Sequence, residues 1–233
     1  MPPVSRPIIH LWDIDGTLVS SGGAGKRAMQ RAFERVTGAR EHGDFHYAGM
    51  TDRSIARTGI RRAGLVDDEA AIDRLLEVYL QILTEAVPNE MGYRVLPGVR
   101  EALDATRSVE GIAVGLGTGN LRRGAKIKLD RVGLYDEFAF GGFGCDHEDR
   151  AELLRAGAER GAAALGVSLA SCCVIVIGDT TRDVDAARRA GAECLAVGTG
   201  GTPVAELRAA GATWVFEDLT VPEAFNVLRQ PRP

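Results

Sequence analysis

Apolar residues along this chain follow two alternating patterns. Six short runs, rich in aliphatic and β-branched residues and bounded by turn residues, predict buried strands. They are Ile8–Trp12, Ile112–Leu116, Phe138–Phe143, Cys173–Ile177, Cys194–Val197 and Trp214–Phe216. Helical patterns lie between the later runs, at Glu152–Leu165, Val184–Ala190 and Val204–Ala210. Strands alternating with helices predict βαβ units, and so an α/β fold with a parallel sheet covered on both faces.

One interval breaks the alternation. From Leu18 to about Arg94 the pattern predicts helices only. Met29, Ala32, Phe33 and Val36 fall at i, i+3, i+4 and i+7, with Gly38 as the C-cap. Ile55, Gly59, Ile60 and Ala63 form a second stripe, preceded by Thr51 as N-cap and followed by Gly64. Ile72, Leu75, Leu76, Tyr79, Leu80 and Leu83 form a third. A crossover between parallel strands needs about a dozen residues, and this one has roughly six times that. The economical reading is an all-helical module over 18–95 inserted into a core made of 1–17 and 96–233. Leu96-Pro97-Gly98 marks the return to the core. The proline-rich tips at both ends are expected to fray.

Composition narrows the function classes. At 233 residues the chain has room for one large domain, or a medium one with a smaller companion. Its net charge is −4 and the two signs are interspersed, which is not the basic footprint of a nucleic-acid binder. No apolar run approaches the ~20 residues that span a bilayer. The first residues, Met1 to Arg6, lack a secretory pattern, so the expected location is the cytoplasm. Cys145, Cys172, Cys173 and Cys194 form no C-x-x-C pair and are expected to be reduced thiols. Of the 28 basic residues only Lys26, Lys126 and Lys128 are lysines.

Three clusters carry candidate chemistry, and each follows a predicted strand. Asp13-Ile14-Asp15-Gly16-Thr17-Leu18 comes directly after Ile8–Trp12. Residues two apart on an extended chain face the same side, so Asp13 and Asp15 project together at the strand's carboxyl end. Open α/β sheets hold their ligands there. Gly16 permits a sharp turn and Thr17 offers a hydroxyl. Carboxylates this close repel unless a cation lies between them. Gly178-Asp179-Thr180-Thr181-Arg182-Asp183 repeats the arrangement after Cys173–Ile177, with Asp179 and Asp183 on one face of a starting helix. Capping of that helix accounts for one of the two aspartates, not both. Gly117-Thr118-Gly119-Asn120, after Ile112–Leu116, suits an anion because free backbone N–H groups point outward before a helix.

These three clusters, in this order and with a helical insertion after the first, resemble the haloacid dehalogenase superfamily over nearly the whole chain. The nearest subgroup is similar to phosphoglycolate phosphatases and β-phosphoglucomutases. The resemblance implies a Rossmann-like core with a helical cap, and a Mg²⁺-dependent attack by Asp13 on the phosphorus of a small phosphorylated metabolite. An aspartyl-phosphate splits one hard displacement into two easier ones. Asp15 is then the general acid and base. Asp13, the backbone carbonyl of Asp15, and Asp179 would hold the metal, with Asp183 supporting from behind. Thr118 with Gly119 and Asn120, and the Gly16-Thr17 turn, would bind the phosphoryl group.

Relatives also place a lysine beside the aspartates, often just before the helix preceding the last motif. This chain departs there, reading Asp146-His147-Glu148-Asp149-Arg150. Either Arg150 substitutes or a lysine arrives from elsewhere. Lys128 borders the apolar stripe Leu121, Ala125, Leu129 and Val132 and is preferred. In the insertion, Gly49, Thr51 and Arg53 belong to a loop that in similar enzymes reads the leaving group. His42 and His46 lack a third metal ligand, and Gly198–Gly201 is expected to be an ordinary loop rather than a phosphate cradle. A phosphomutase would use the same Asp13 and Asp15. Dehalogenases and phosphonate hydrolases lack an acid at the position of Asp15, although Lys26 is a lone cap lysine of the kind the latter need. A receiver-like module or an inactive binder is disfavoured by chain length and by the intact acidic set.

Overall fold

The computed structural model describes residues 6–107 and 109–230; the proline-rich tips lie outside the described residues. The chain runs β1 (Ile8–Trp12), β2 (Val19–Ser21), α1 (Ala24–Thr37), α2 (Asp52–Arg62), α3 (Glu69–Ala86) and β3 (Tyr93–Val95). It continues with α4 (Val99–Thr106), β4 (Ile112–Thr118), α5 (Arg122–Asp130), β5 (Gly141–Phe143) and α6 (Arg150–Leu165). It ends with β6 (Cys173–Gly178), α7 (Thr181–Ala190), β7 (Glu193–Val197), α8 (Val204–Ala209), β8 (Trp214–Phe216) and α9 (Pro222–Arg229).

Six strands form one parallel sheet in the order β5-β4-β1-β6-β7-β8. All five residues of β1 are buried, as expected for a central strand with helices on both faces. Its side chains alternate between two cores. Ile8 and Trp12 join Val114, Ile175 and the inner faces of α4 and α9. Ile9 and Leu11 join Leu153, Val176 and Val184 beneath α6 and α7. Because β1 lies between β4 and β6, the chain leaves it in both directions, and the carboxyl ends of these three strands open on one crevice.

The helices α1, α2 and α3 share a separate apolar cluster that includes Phe33, Ile60, Leu75 and Tyr79. The stripes match the sequence reading, with Gly38 left-handed at the end of α1 and Thr51 capping α2. The expectation of helices only is corrected by β2 and β3, which pair antiparallel as the two stalks joining this cluster to the core. At three residues each they are too short for a periodic pattern to register. The Phe138–Phe143 run is likewise shorter as a strand, because a 3-10 turn at Tyr135–Glu137 feeds into it and pairing begins at Gly141. No helix among the described residues is long and apolar enough to cross a membrane.

His10 sits in the middle of β1 at 0% exposure, and neither ring nitrogen makes an aligned hydrogen bond. Burial lowers its pKa from 6.5 to about 4, offset in part by the backbone of Leu228. The unfolded chain therefore binds a proton between these values that the folded protein refuses. Stability should be complete above pH 6.5 and decline as pH falls toward about 4, by about 3 kcal/mol for this group. His10→Leu is expected to remove that part of the acid sensitivity. Urea unfolding of both proteins at neutral pH and near the lower value checks this; parallel losses would refute it.

Candidate active site

The site is assembled at the carboxyl ends of β1, β4 and β6. The Asp13 N–H donates to the Ile177 carbonyl at 2.9 Å, so the ladder between β1 and β6 fixes Asp13 at the sheet's edge. The chain then turns at Gly16, whose φ of +88° favours glycine. A Cβ there would stand 2.5 Å from the Asp179 carboxylate. On α7, Thr180 and Asp183 form a reciprocal capping box, and the Asp183 carboxylate also accepts from the Asp179 N–H at 3.2 Å. Asp183 thus both caps α7 and belongs to the buried acidic cluster.

One oxygen each of Asp13, Asp179 and Asp183 lies within 4.8 Å of the others, and all three residues are buried. Burial pushes the Asp13 carboxyl up, and Arg150 only partly counters it. Burial, then the neighbouring Asp183 and Asp13, push Asp179 well above the usual carboxylate range. Arg150, the first residue of α6, places Nη2 3.0 Å from Asp13 and 2.5 Å from Asp183. Neither Nη2 nor the Asp183 Oδ1 has an aligned hydrogen bond. Three crowded carboxylates against one guanidinium leave excess negative charge. Hard oxygen donors with that charge fit a divalent cation such as Mg²⁺.

Asp15 has a different environment. Lys128, itself buried, donates to Asp15 Oδ2 at 2.5 Å and to Asn120 Oδ1 at 2.6 Å. The Asn120 amide donates to the same Asp15 oxygen at 3.0 Å and to the Thr118 hydroxyl at 2.9 Å. Burial raises the Asp15 pKa, but Lys128 and these hydrogen bonds outweigh it and hold the carboxyl below its ordinary value. Thr118 in turn donates toward Asp13, which favours the ionised carboxylate against burial. Both Lys128 and Arg150 reach the cluster, Lys128 on Asp15 and Arg150 between Asp13 and Asp183. Lys128 carries the cation to Asp15 from the edge of the α5 stripe.

A cavity of about 460 Å³ lies over these groups, walled on its far side by the insertion. Gly49 lines it. Thr51 does not; its hydroxyl caps α2 and donates to the Glu148 carbonyl at 2.9 Å. Arg53 is a correction. Arg53, the second residue of α2, is absent from the cavity lining and is held instead by Glu69 and Asp73, because the two acids on α3 lie within its reach. Thr17 donates to Asp179 at 3.0 Å and orients that carboxylate. Gly198–Gly201 connects β7 to α8, and Thr199 and Gly200 of this loop line the cavity, Thr199 donating to the Gly16 carbonyl at 2.6 Å. Of the two histidines, His42 bonds Thr37, and His46 stands at the cavity mouth.

Sequence reasoning missed Asp52. It is buried, lines the cavity and accepts from the Leu121 N–H at 2.8 Å, while its own N–H donates to Gly119 at 2.8 Å. Burial raises its pKa to about 6, with Lys128 pulling the other way. An acid just after an N-cap reads as ordinary dipole chemistry, which hid it.

Gly200 is exposed, and exposed positions ordinarily accept alanine within about 0.5 kcal/mol. Here the added methyl would stand 1.7 Å from the buried Asp179 carboxylate. Gly200→Ala is expected to destabilise the protein by about 1–3 kcal/mol. The urea midpoint measures it, and a wild-type midpoint would contradict the packing described.

Residues 10–191 match the profile of the haloacid dehalogenase-like hydrolases. The chain is 31% identical to a phosphoglycolate phosphatase of Synechococcus elongatus, covering 89% of this chain and 91% of that one. It is 27% identical to a phosphoglycolate phosphatase of Mesorhizobium japonicum over 97% and 98% of the two chains. The crystal structure of a hydrolase from Pseudomonas syringae superposes with a TM-score of 0.68 at 25% identity, over 91% of this chain and 94% of that one. Profile, relatives and fold agree, and the chain belongs to the haloacid dehalogenase-like hydrolases as a phosphatase of the phosphoglycolate phosphatase-like kind.

Proposed function

We propose that this protein hydrolyses a small phosphomonoester through an aspartyl-phosphate on Asp13, with Mg²⁺ as cofactor and residues 18–95 as a cap over the site. The carrying observation is that adjacent carboxylates have opposite surroundings. Asp13 faces Arg150 and the buried Asp179 and Asp183, whereas Asp15 faces Lys128 and Asn120. Such divergence assigns different tasks to two like groups.

Asp13 supplies the attacking oxygen; Arg150 orients it and favours its ionised form against burial. Asp15, ionised beside Lys128, takes a proton from the incoming phosphate monoester, hands it to the departing ester oxygen, then removes one from the water that attacks the aspartyl-phosphate. That second attack regenerates the Asp13 carboxylate and releases inorganic phosphate. The Thr118 hydroxyl and the backbone at Gly119 and Asn120 hold the phosphoryl oxygens. Asp13, Asp179 and the Asp15 carbonyl would hold Mg²⁺, with Asp183 steadying the set. The ion would neutralise charge building up on the transferring group. The cap excludes bulk water and large substrates, which favours a soluble, cytoplasmic metabolite over a phosphoprotein or nucleic acid.

The test is phosphate release from a panel of small esters, beginning with phosphoglycolate because of the relatives' names. Release should need Mg²⁺, stop on chelation and return when the ion is restored. Asp13→Asn should abolish it, and Asp15→Asn should lower kcat by about 10²–10⁴-fold. Release by Asp13→Asn at the wild-type rate would overturn the covalent mechanism. Retained phosphorylation of wild type with no release would indicate a mutase.

A further inference from the structure

We propose that Asp52 is a positioning residue for proton transfer at Asp15, so that the acid/base end of the site is complete only with the insertion docked. The inference rests on the phosphatase reading and deepens it, since it gives α2 a task in the chemistry beyond walling the cavity. Asp52 grips the chain on both sides of Asn120. Its N–H donates to the Gly119 carbonyl at 2.8 Å, and its Oδ2 accepts from the Leu121 N–H at 2.8 Å. The two segments meet closely there: a Cβ at Gly119 would stand 2.5 Å from the Met50 carbonyl oxygen. Asn120, held between, donates to Asp15 at 3.0 Å and accepts from Lys128 at 2.6 Å.

The same carboxylate completes α5, the helix that carries Lys128. Leu121 is the N-cap of α5 and offers no side-chain cap, and the first turn holds Arg122 and Arg123 but no acid. Both arginines oppose the helix dipole. In a capping box the third residue of the helix returns its side chain to the N-cap N–H. Here that third residue is Gly124, which has no side chain to return. Asp52 takes the part from the insertion: it bonds the Leu121 N–H, and a Cβ at Gly124 would stand 3.7 Å from its Oδ2. One insertion carboxylate thus sets both groups that hold Asp15, Asn120 just before α5 and Lys128 in its last turn.

Its own helix does not account for Asp52. Helix α2 already has a complete capping box in Thr51 and Ser54. An acid at the first helical position is favoured by the dipole without leaving solvent, yet this one is buried and gives its oxygen to another helix. Burying a carboxylate costs free energy, which the Leu121 N–H and the nearby Lys128 offset. Loosening of the first turn of α5 would displace Asn120 and Lys128 together, and a misplacement of about 1 Å can cost about 10²-fold in rate.

The experiment compares two esters by their need for a proton. Ethyl phosphate loses an alkoxide that Asp15 must protonate, whereas 4-nitrophenyl phosphate loses a stable phenolate that needs no proton. The comparison uses kcat/KM, which covers the steps through leaving-group departure and not the later hydrolysis of the aspartyl-phosphate. Asp52→Ala should lower kcat/KM for ethyl phosphate by about 10- to 100-fold relative to 4-nitrophenyl phosphate. Asp52→Asn, which keeps an oxygen for the Leu121 N–H, should hold most of the wild-type ratio. Arg57→Gln, which removes an insertion–core contact at Glu148, should leave the ratio unchanged. A ratio unchanged in Asp52→Ala overturns the inference, as does an equal shift in Arg57→Gln. Amide hydrogen exchange over 119–130, in wild type and both Asp52 variants, reads the clamp without turnover. Faster exchange in Asp52→Ala, reversed in Asp52→Asn, supports it and unchanged exchange overturns it, even where release of no phosphate from any ester has brought down the phosphatase reading.

Discussion

Asp13, Asp179 and Asp183 are held within one small buried space, and Arg150 is the guanidinium inserted among them. Like charges in a medium of low dielectric repel strongly, so the arrangement persists only because rigid elements impose it. Parallel pairing of β1 with β6 brings the first and last acidic clusters side by side. The first turn of α6 supplies Arg150, and the capping box of α7 fixes Asp183. The central strand and two helix starts therefore converge on one electrostatic problem, and the chemistry proposed for the site draws on the charge that remains after Arg150.

The insertion is joined to the core by more than its two stalks. Asp52 exchanges hydrogen bonds with Gly119 and Leu121, which ties the start of α2 to the start of α5. Thr51 and Arg57 bond Glu148, just ahead of α6, and Arg182 on α7 bonds the Ala48 carbonyl. The insertion thus holds the same segments that present Asn120, Arg150 and Asp179. The contacts that wall the cavity also steady the groups below it.

Much of this was legible in the amino-acid order. Strands followed by Asp-Ile-Asp-Gly-Thr and by Gly-Asp-Thr-Thr-Arg-Asp place carboxylates at strand ends whatever the rest of the chain does, because side-chain direction on a strand is local. The three amphipathic stripes of the insertion were legible for the same reason, since periodicity of 3.6 is a local property. The short stalks β2 and β3 were not, since three residues carry no period.

The partners of each charge were beyond local reading. The edge of the α5 stripe pointed to Lys128 as a site cation but not to Asp15 as its partner, and Arg53 looked like a substrate ligand; in the fold Lys128 is buried on Asp15 and Arg53 pairs with surface acids. Gly200 and Thr199 sit far along the chain from Gly16 and Asp179, yet they close the same corner. The sequence by itself determined which elements form and which carboxylates stand at strand ends. Only the tertiary structure decided which cation meets which carboxylate, because those pairings depend on how strands and helices distant in sequence are brought into register.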